Sequence, residues 1–194
     1  EVFDLLPERA AYWRGRGALL IADPHFGKAD HFRASGIAAP DTTAATLRRL
    51  SAALAATAAR ELMILGDFFR ARPGVARDVV GALQAWREAR PGLTITAVTG
   101  NHDVHAGRPP ECLRMDCVGE RLLIGDLVLR HHPEAEADRF VIAGHVHPAV
   151  RLHGPTGQSL RAACFHFEPR FATLPAFGDF TGTHVIRPRV GDRV

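Results

Sequence analysis

Five short apolar runs along the chain each end in a polar cluster. Ala18-Leu19-Leu20-Ile21-Ala22 runs into Asp23-Pro24-His25, and Leu62-Met63-Ile64-Leu65 into Gly66-Asp67. Ile95-Thr96-Ala97-Val98 leads to Gly100-Asn101-His102-Asp103, Leu127-Val128-Leu129-Arg130 to His131-His132, and Phe140-Val141-Ile142-Ala143 to Gly144-His145-Val146-His147. Apolar runs of this length bounded by Gly or Pro predict buried strands. Asp41 follows Pro40 as an N-cap, and Leu47, Leu50 and Leu54 recur at helical spacing to about Ala59. A second helix is expected from Ala76 to Ala89, ending before Pro91. Helices between strands predict βαβ crossovers and a parallel sheet. Open α/β sheets bind ligands beyond the carboxyl ends of their strands. The five polar clusters are therefore expected to meet in one pocket.

The second half reads differently. Runs at 121–124, 127–130, 139–143, 149–152 and 159–165 are closely spaced, with turns such as Gly125-Asp126 and Gly154-Pro155-Thr156-Gly157, and predict hairpins. His105 to Glu120 reads as a long loop beside the pocket. Leu174 to Gly182 is irregular and aromatic, packing the C-terminus down or bordering the substrate, with packing preferred. The expected architecture is α/β, a single domain over 1–194, with two packed, mostly β layers flanked by helices.

Composition adds limits. At 194 residues and 46% hydrophobic, the chain suits one domain with a sizeable core. No apolar run approaches the ~20 residues of a membrane span, and no cleavable signal precedes the first strand, so a cytoplasmic location is expected. Cys112, Cys117 and Cys164 show no C-x-x-C spacing and read as free thiols. The net charge of +3 says little by itself. However, Lys28 and Arg33 follow one polar cluster, and Arg70 and Arg72 another. These four are candidate phosphate contacts on a basic rim, against the plainer reading of scattered surface charge.

The clusters supply seven candidate metal ligands: Asp23, His25, Asp67, Asn101, His131, His145 and His147. One zinc ion takes about four. Seven ligands and a bridging carboxylate suit two ions, and Asp67, alone at its strand end, is the natural bridge. The i, i+2 pairs Asp23/His25 and His145/His147 put both members on one side of extended chain, while Gly66, Gly100 and Gly144 are expected to provide sharp turns. Oxygen and nitrogen donors without thiolate favour two divalent ions, Mn²⁺ first, with Fe or Zn²⁺ as alternatives. His102 stands apart as a proton donor to a leaving group, with Asp103 expected to orient its ring. Asp-x-His and Gly-Asp are weak signals alone. Gly-Asn-His-Asp after a strand is quite specific, and Gly-His-x-His is stronger than a random histidine pair. The ordered set of five leaves little room for chance. His31, His105, His153, His166 and His184 read as surface or packing residues.

In this order, the motifs resemble those of the calcineurin-like metallophosphoesterase superfamily over residues 23–147. The resemblance implies a four-layer αββα sandwich of two mixed sheets, a binuclear centre and phosphoester hydrolysis. It would assign Asp23, His25, Asp67 and His147 to one ion, and Asp67, Asn101, His131 and His145 to the other. His102 would be catalytic, supported by Asp103. His25-Phe26-Gly27-Lys28, Phe32 to Ile37, His131-His132-Pro133, Gly144 to Pro148 and Leu174 to Gly178 are similar to the ligase-associated DNA damage response phosphoesterases, described as endonucleases. That likeness implies a DNA substrate and association with a DNA ligase, a helicase and an exonuclease. Pro24 departs from the aliphatic residue usual there. His131 fits the fourth motif, with His132 as the alternative. Rival functions are hydrolysis of small or cyclic nucleotides or of phosphomonoesters, and a metal-stabilised repair scaffold.

Overall fold

The computed structural model describes residues 1–34, 36–70 and 76–194, without the side chains of residues 30, 31 and 34. Strands β1 (Phe3–Leu6) and β2 (Ala10–Trp13) form a hairpin that adds antiparallel to β3 (Ala18–Ile21). Helices α1 (Lys28–Ala34) and α2 (Thr43–Thr57) lead to β4 (Glu61–Leu65), and α3 (Arg77–Glu88) to β5 (Thr94–Val98). Next come α4 (Asn101–Ala106), a 3-10 turn at Glu111–Leu113 and β6 (Asp116–Val118). The six strands make one sheet in the order β1-β2-β3-β4-β5-β6, parallel from β3 onward.

A second sheet, β12-β13-β9-β8-β7, uses β7 (Arg121–Ile124), β8 (Leu127–Arg130), β9 (Phe140–Ala143), β12 (His166–Phe167) and β13 (Phe171–Thr173). A third contains β10 (Pro148–His153), β11 (Ser159–Ala163) and β14 (His184–Val185).

Alternation along the apolar runs explains how these layers stack. Successive strand residues face opposite sides. Leu19 and Ile21 of β3, with Leu62 and Ile64 of β4, join Leu47, Leu50 and Leu54 of α2 and Leu83 of α3 in one core. Their neighbours Ala18, Leu20, Met63 and Leu65 meet Leu127 and Leu129 of β8 and Ile142 of β9 in another, between the two sheets. Both faces are therefore dry, and a fully buried Leu or Ile stabilises by ~1.5–3 kcal/mol. The fold class is the expected one, two mixed sheets face to face with helices outside. Among the described residues the four α-helices all precede residue 107, and α2, α3 and α4 contribute to the core on the outer face of the six-stranded sheet.

Two expectations about the strands are corrected. The runs at 127–130 and 139–143 are not a hairpin: β8 and β9 pair in parallel, Leu127 with Phe140 and Arg130 with Ala143. Residues 131–139 carry the chain back, so both strands end at the same edge. Within the expected loop from His105 to Glu120, β6 extends the first sheet beside β5. Three residues at a half-exposed edge show no hydrophobic alternation to reveal it. The hairpins β7–β8 and β10–β11 form as expected. The N-cap of α2 is Thr42 rather than Asp41; Asp41, one residue earlier, still accepts from the Thr43 amide through Oδ1 at 3.0 Å. Among the described residues, no helix is long and apolar enough to cross a membrane.

Candidate metal centre

At its strand ends the chain turns into unusual backbone. Asp23 (φ 52°), His25 (46°), Asp67 (51°), His145 (71°) and His147 (53°) all lie in the left-handed region. Only three other described non-glycine residues, Arg9, Ala58 and Arg114, do so. Asp and His tolerate this region better than most residues, but each instance still costs about 1–3 kcal/mol and persists only where its surroundings enforce it. The strain is concentrated in the residues whose side chains converge.

The two aspartates work alike. Asp23 Oδ2 accepts from the His145 amide (2.8 Å), and Asp67 Oδ1 from the His102 amide (2.8 Å). Each carboxylate thus ties its strand end to another polar segment and keeps one oxygen for the site. Asp67 Oδ2 lies 3.7 Å from His25 Nε2 and 3.5 Å from His131 Nε2. Asp23 Oδ1 lies 3.5 Å from His131 Nδ1 and 3.6 Å from His147 Nε2.

Backbone carbonyls orient two imidazoles. His131 Nδ1 donates to Leu65 O (3.0 Å) and His147 Nδ1 to Gly182 O (3.0 Å). A carbonyl only accepts, so both Nε2 atoms keep their lone pairs for the site, the arrangement that fixes metal-ligating histidines. His131 Nε2, left as an acceptor, faces Asn101 Oδ1 at 2.9 Å as well as Asp67 Oδ2. His145 Nδ1 stands 3.1 Å from the same atom. Asp23 Oδ1, His25 Nδ1 and His147 Nε2 are buried without hydrogen-bond partners among the described residues. Lone pairs crowded together, with orphaned polar atoms among them, fit cation coordination, because buried acceptors otherwise carry a large desolvation penalty.

All seven expected ligands are brought together. Ligand atoms of Asp23, His25 and His147, of Asp23, Asp67 and His131, and of His131, His132 and His145 form groups within 4.8 Å. His132 is thus nearby, its ring centroid 4.2 Å from that of His145, but His131 is the buried one. Burial, then the neighbouring Lys28 charge, pushes the His25 pKa down to about 2. Burial and then Arg70 lower that of His102 to about 4, and burial raises that of Asp67 to about 6. Neutral imidazoles are the form a metal needs. The raised Asp67 value reflects a buried carboxylate in want of positive charge, which a cation reverses.

Asp103 is placed differently from expectation. It lies on α4, where consecutive residues do not face each other, and its carboxylate accepts from the Gly100 amide (2.9 Å) and the Phe69 amide (3.3 Å). It caps α4 from the third helical position. The His102 ring is instead met by Arg70, whose Nη1 lies 2.9 Å from Nδ1 and also contacts Nε2. Arg70 reaches it because residues 25–26 and 67–70 are zipped together: the His25 amide donates to Asp67 O, Phe26 to Phe68 O and Arg70 to Phe26 O. Lys28 is near enough to the site for burial and Arg70 to lower its pKa, while Asp23 and Asp67 raise it. Arg33 is exposed and donates to Ala39 O at 2.8 Å, closing the turn after α1. Arg72 lies outside the described residues.

The glycines serve close approach more than turning. Gly66 has φ 83°, and a Cβ there would also strike the His131 ring. Gly144 has no positive φ, yet a Cβ would meet Asp23 Oδ2 at 2.6 Å and Leu65 O at 2.9 Å.

The segment after β13, for which the sequence favours packing over a place beside the substrate, braces the site from below. Phe177 donates its amide to Ala22 O (2.7 Å) and Gly178 to Asp23 O (3.1 Å), so this stretch packs directly under the first polar cluster. Arg49 of α2 holds it through Asp179 and Phe177 O.

No family model and no curated protein matches the sequence. Among solved structures, the nuclease MPE of Pseudomonas putida is 39% identical and superposes with a TM-score of 0.87, over 98% of this chain and 90% of that one. YfcE, a phosphoesterase from E. coli, is a remote likeness, with 16% identity and a TM-score of 0.44 over 82% of this chain and 79% of that one. A convergent carboxylate–imidazole centre and 39% identity over nearly the full length of a nuclease lead to one assignment. The chain belongs to the calcineurin-like metallophosphoesterases, a superfamily of metal-dependent phosphoesterases.

Proposed function

We propose that this chain is a binuclear phosphodiesterase that cleaves DNA, acting as a single domain over residues 1–194 in the cytoplasm and in DNA repair. The carrying observation is the lone pair of His131 Nε2, facing Asn101 Oδ1 and Asp67 Oδ2 with no proton to share. In this reading Asp23, His25, Asp67 and His147 hold one divalent ion, and Asp67, Asn101, His131 and His145 the second, with Asp67 as bridge. Such ions, Mn²⁺ first, would neutralise phosphoryl oxygens and acidify water.

The chain's own groups supply the rest. His102, half-buried in the first turn of α4, carries no extra proton while burial and Arg70 hold its pKa down. The negative charge of a bound phosphodiester would offset Arg70 and let the ring deliver a proton to the leaving oxygen, a role that contributes typically ~10²–10⁴-fold. Asp103 holds the start of α4 and thereby positions that ring. Arg70 and Lys28 offer positive charge to the phosphodiester beside it. The DNA substrate is supported by the likeness to a nuclease, and association with a DNA ligase, a helicase and an exonuclease follows from the same reading.

The test is hydrolysis by purified protein with added Mn²⁺ of bis-aryl phosphate, cyclic nucleotides, an aryl phosphomonoester and single- and double-stranded DNA. Cleavage of DNA that is lost in His102→Ala, with metal content retained, supports the proposal. Activity confined to cyclic nucleotides or the monoester overturns the DNA assignment. Metal binding without hydrolysis of any substrate leaves the scaffold reading.

A further inference from the structure

The polar cluster at His145–His147 runs directly into β10, which pairs with β11 as an antiparallel hairpin. Arg151 stands opposite Arg161 in that pairing, and His153 opposite Ser159. With a side-chain period of two, these four lie on one face, and all four are exposed. Among the described residues, neither guanidinium has an ion-pair or hydrogen-bond partner. Like charges directly opposite each other destabilise a hairpin, so this pairing makes physical sense where an anion bridges it. No Asp or Glu occurs from residue 139 to 167, so nothing on the hairpin neutralises the pair. Arg187, also exposed, follows directly after Ile186, whose amide donates to Ala149 O at the root of β10.

We propose that the Arg151/Arg161 face of this hairpin is a docking track for the phosphodiester backbone of a single-stranded polynucleotide, leading away from the metal centre. At ~3.3 Å per strand residue, Arg151 lies ~13 Å along the chain from His147. That distance puts it beyond the scissile phosphate and within reach of neighbouring phosphates of the same strand. Phosphate contacts position a strand without reading its sequence. The track therefore grips polymers and is irrelevant to small diesters. The opposite face carries the half-buried pair Val150 and Ala162 and the exposed pair Leu152 and Leu160, which supply no charge for a backbone. This inference rests on the proposed nuclease activity.

The experiment compares the parent protein with Arg151→Ala/Arg161→Ala, Arg151→Lys/Arg161→Lys and, as control, Leu152→Ser/Leu160→Ser. Each is assayed with Mn²⁺ on a single-stranded DNA oligonucleotide and on bis-aryl phosphate. The alanine pair should lose roughly tenfold in kcat/KM on the oligonucleotide and none on bis-aryl phosphate. The dependence of log affinity on log salt should become shallower by about 1.4 for two lost single-strand contacts. The lysine and serine pairs should retain oligonucleotide cleavage and the parental salt slope. Unchanged cleavage and salt slope in the alanine pair overturn the track. Equal loss on both substrates also overturns it, making the hairpin a support of the metal centre. A serine pair that loses oligonucleotide cleavage assigns the binding to the wrong face. If the parent hydrolyses bis-aryl phosphate but not the oligonucleotide, the nuclease reading itself fails.

Discussion

Asp23 Oδ2 accepts the His145 backbone amide at 2.8 Å, across 122 positions of sequence. One carboxylate thus sets the distance between the first strand end and the last while its second oxygen, buried and without a partner among the described residues, faces the site. Asp67 repeats the device on His102. Ligand presentation and backbone organisation depend on the same two side chains.

Asp67→Asn is expected to separate folding from metal binding. Asn can still accept the His102 amide, and it removes a carboxylate that burial already disfavours. Its metal-free melting temperature should match or exceed the parent's. The stabilisation given by ligand at ~100 times Kd, about 2.7 kcal/mol, should disappear. Thermal melts with and without Mn²⁺ check this, and a parental Mn²⁺-induced shift in the variant would rule out Asp67 as a ligand.

The two adjacent histidines should differ. His131 is fully buried and oriented by Leu65 O, whereas His132 is half-buried beside it. His131→Ala should abolish tight binding of a second ion and cut turnover by orders of magnitude. His132→Ala should keep both within about tenfold, the lower range for a residue that only supports ligands. Metal stoichiometry of each variant decides the matter.

Gly144→Ala should fail for lack of room. Its Cβ would meet the Ala22 Cβ at 2.8 Å and Leu65 O at 2.9 Å, and the carbonyl belongs to a central strand that cannot move aside. Overpacking of this kind costs typically ~1–3 kcal/mol. Urea denaturation should register that loss. Gly182→Ala, where a Cβ meets nothing within 4 Å, should stay close to the parent.

Arg49→Ala should loosen the C-terminal segment without touching a ligand. Arg49 bonds Asp179 and Phe177 O and lies over the Phe177 ring, 4.8 Å from its centroid. Loss of charged hydrogen bonds costs about 1.5–3 kcal/mol. Because Gly182 O orients His147, Mn²⁺ affinity should also fall, by roughly 10–100-fold. Titration calorimetry beside a denaturation curve checks both effects, and unchanged Mn²⁺ affinity would separate the segment from the centre.

Much of this protein was legible along the chain because its signals are local. Period and bounding glycines revealed β3, β4, β5, β8 and β9, and leucine spacing revealed α2. The polar residues at five strand ends named the candidate ligands, since a buried strand ending in Asp or His has few structural uses for it. Short edge strands such as β6 left no such trace, because an exposed edge imposes no alternation. The direction of β9 was not legible either: closely spaced strands suit a hairpin and a parallel return equally until their partners are known.

Side-chain partnerships were decided only in three dimensions. Adjacency suggested that Asp103 orients His102, but the helical turn of α4 points the carboxylate back to its own N-terminus and leaves the imidazole to Arg70, 32 positions away. The bracing of Asp23 and His147 by residues 177–182 was equally invisible, because it runs through backbone amides and carbonyls that every residue possesses. Residue types and their order determined which atoms are available for chemistry. Tertiary packing determined which of them face one another, because hydrogen bonds and close contacts depend on distances that sequence separation does not encode.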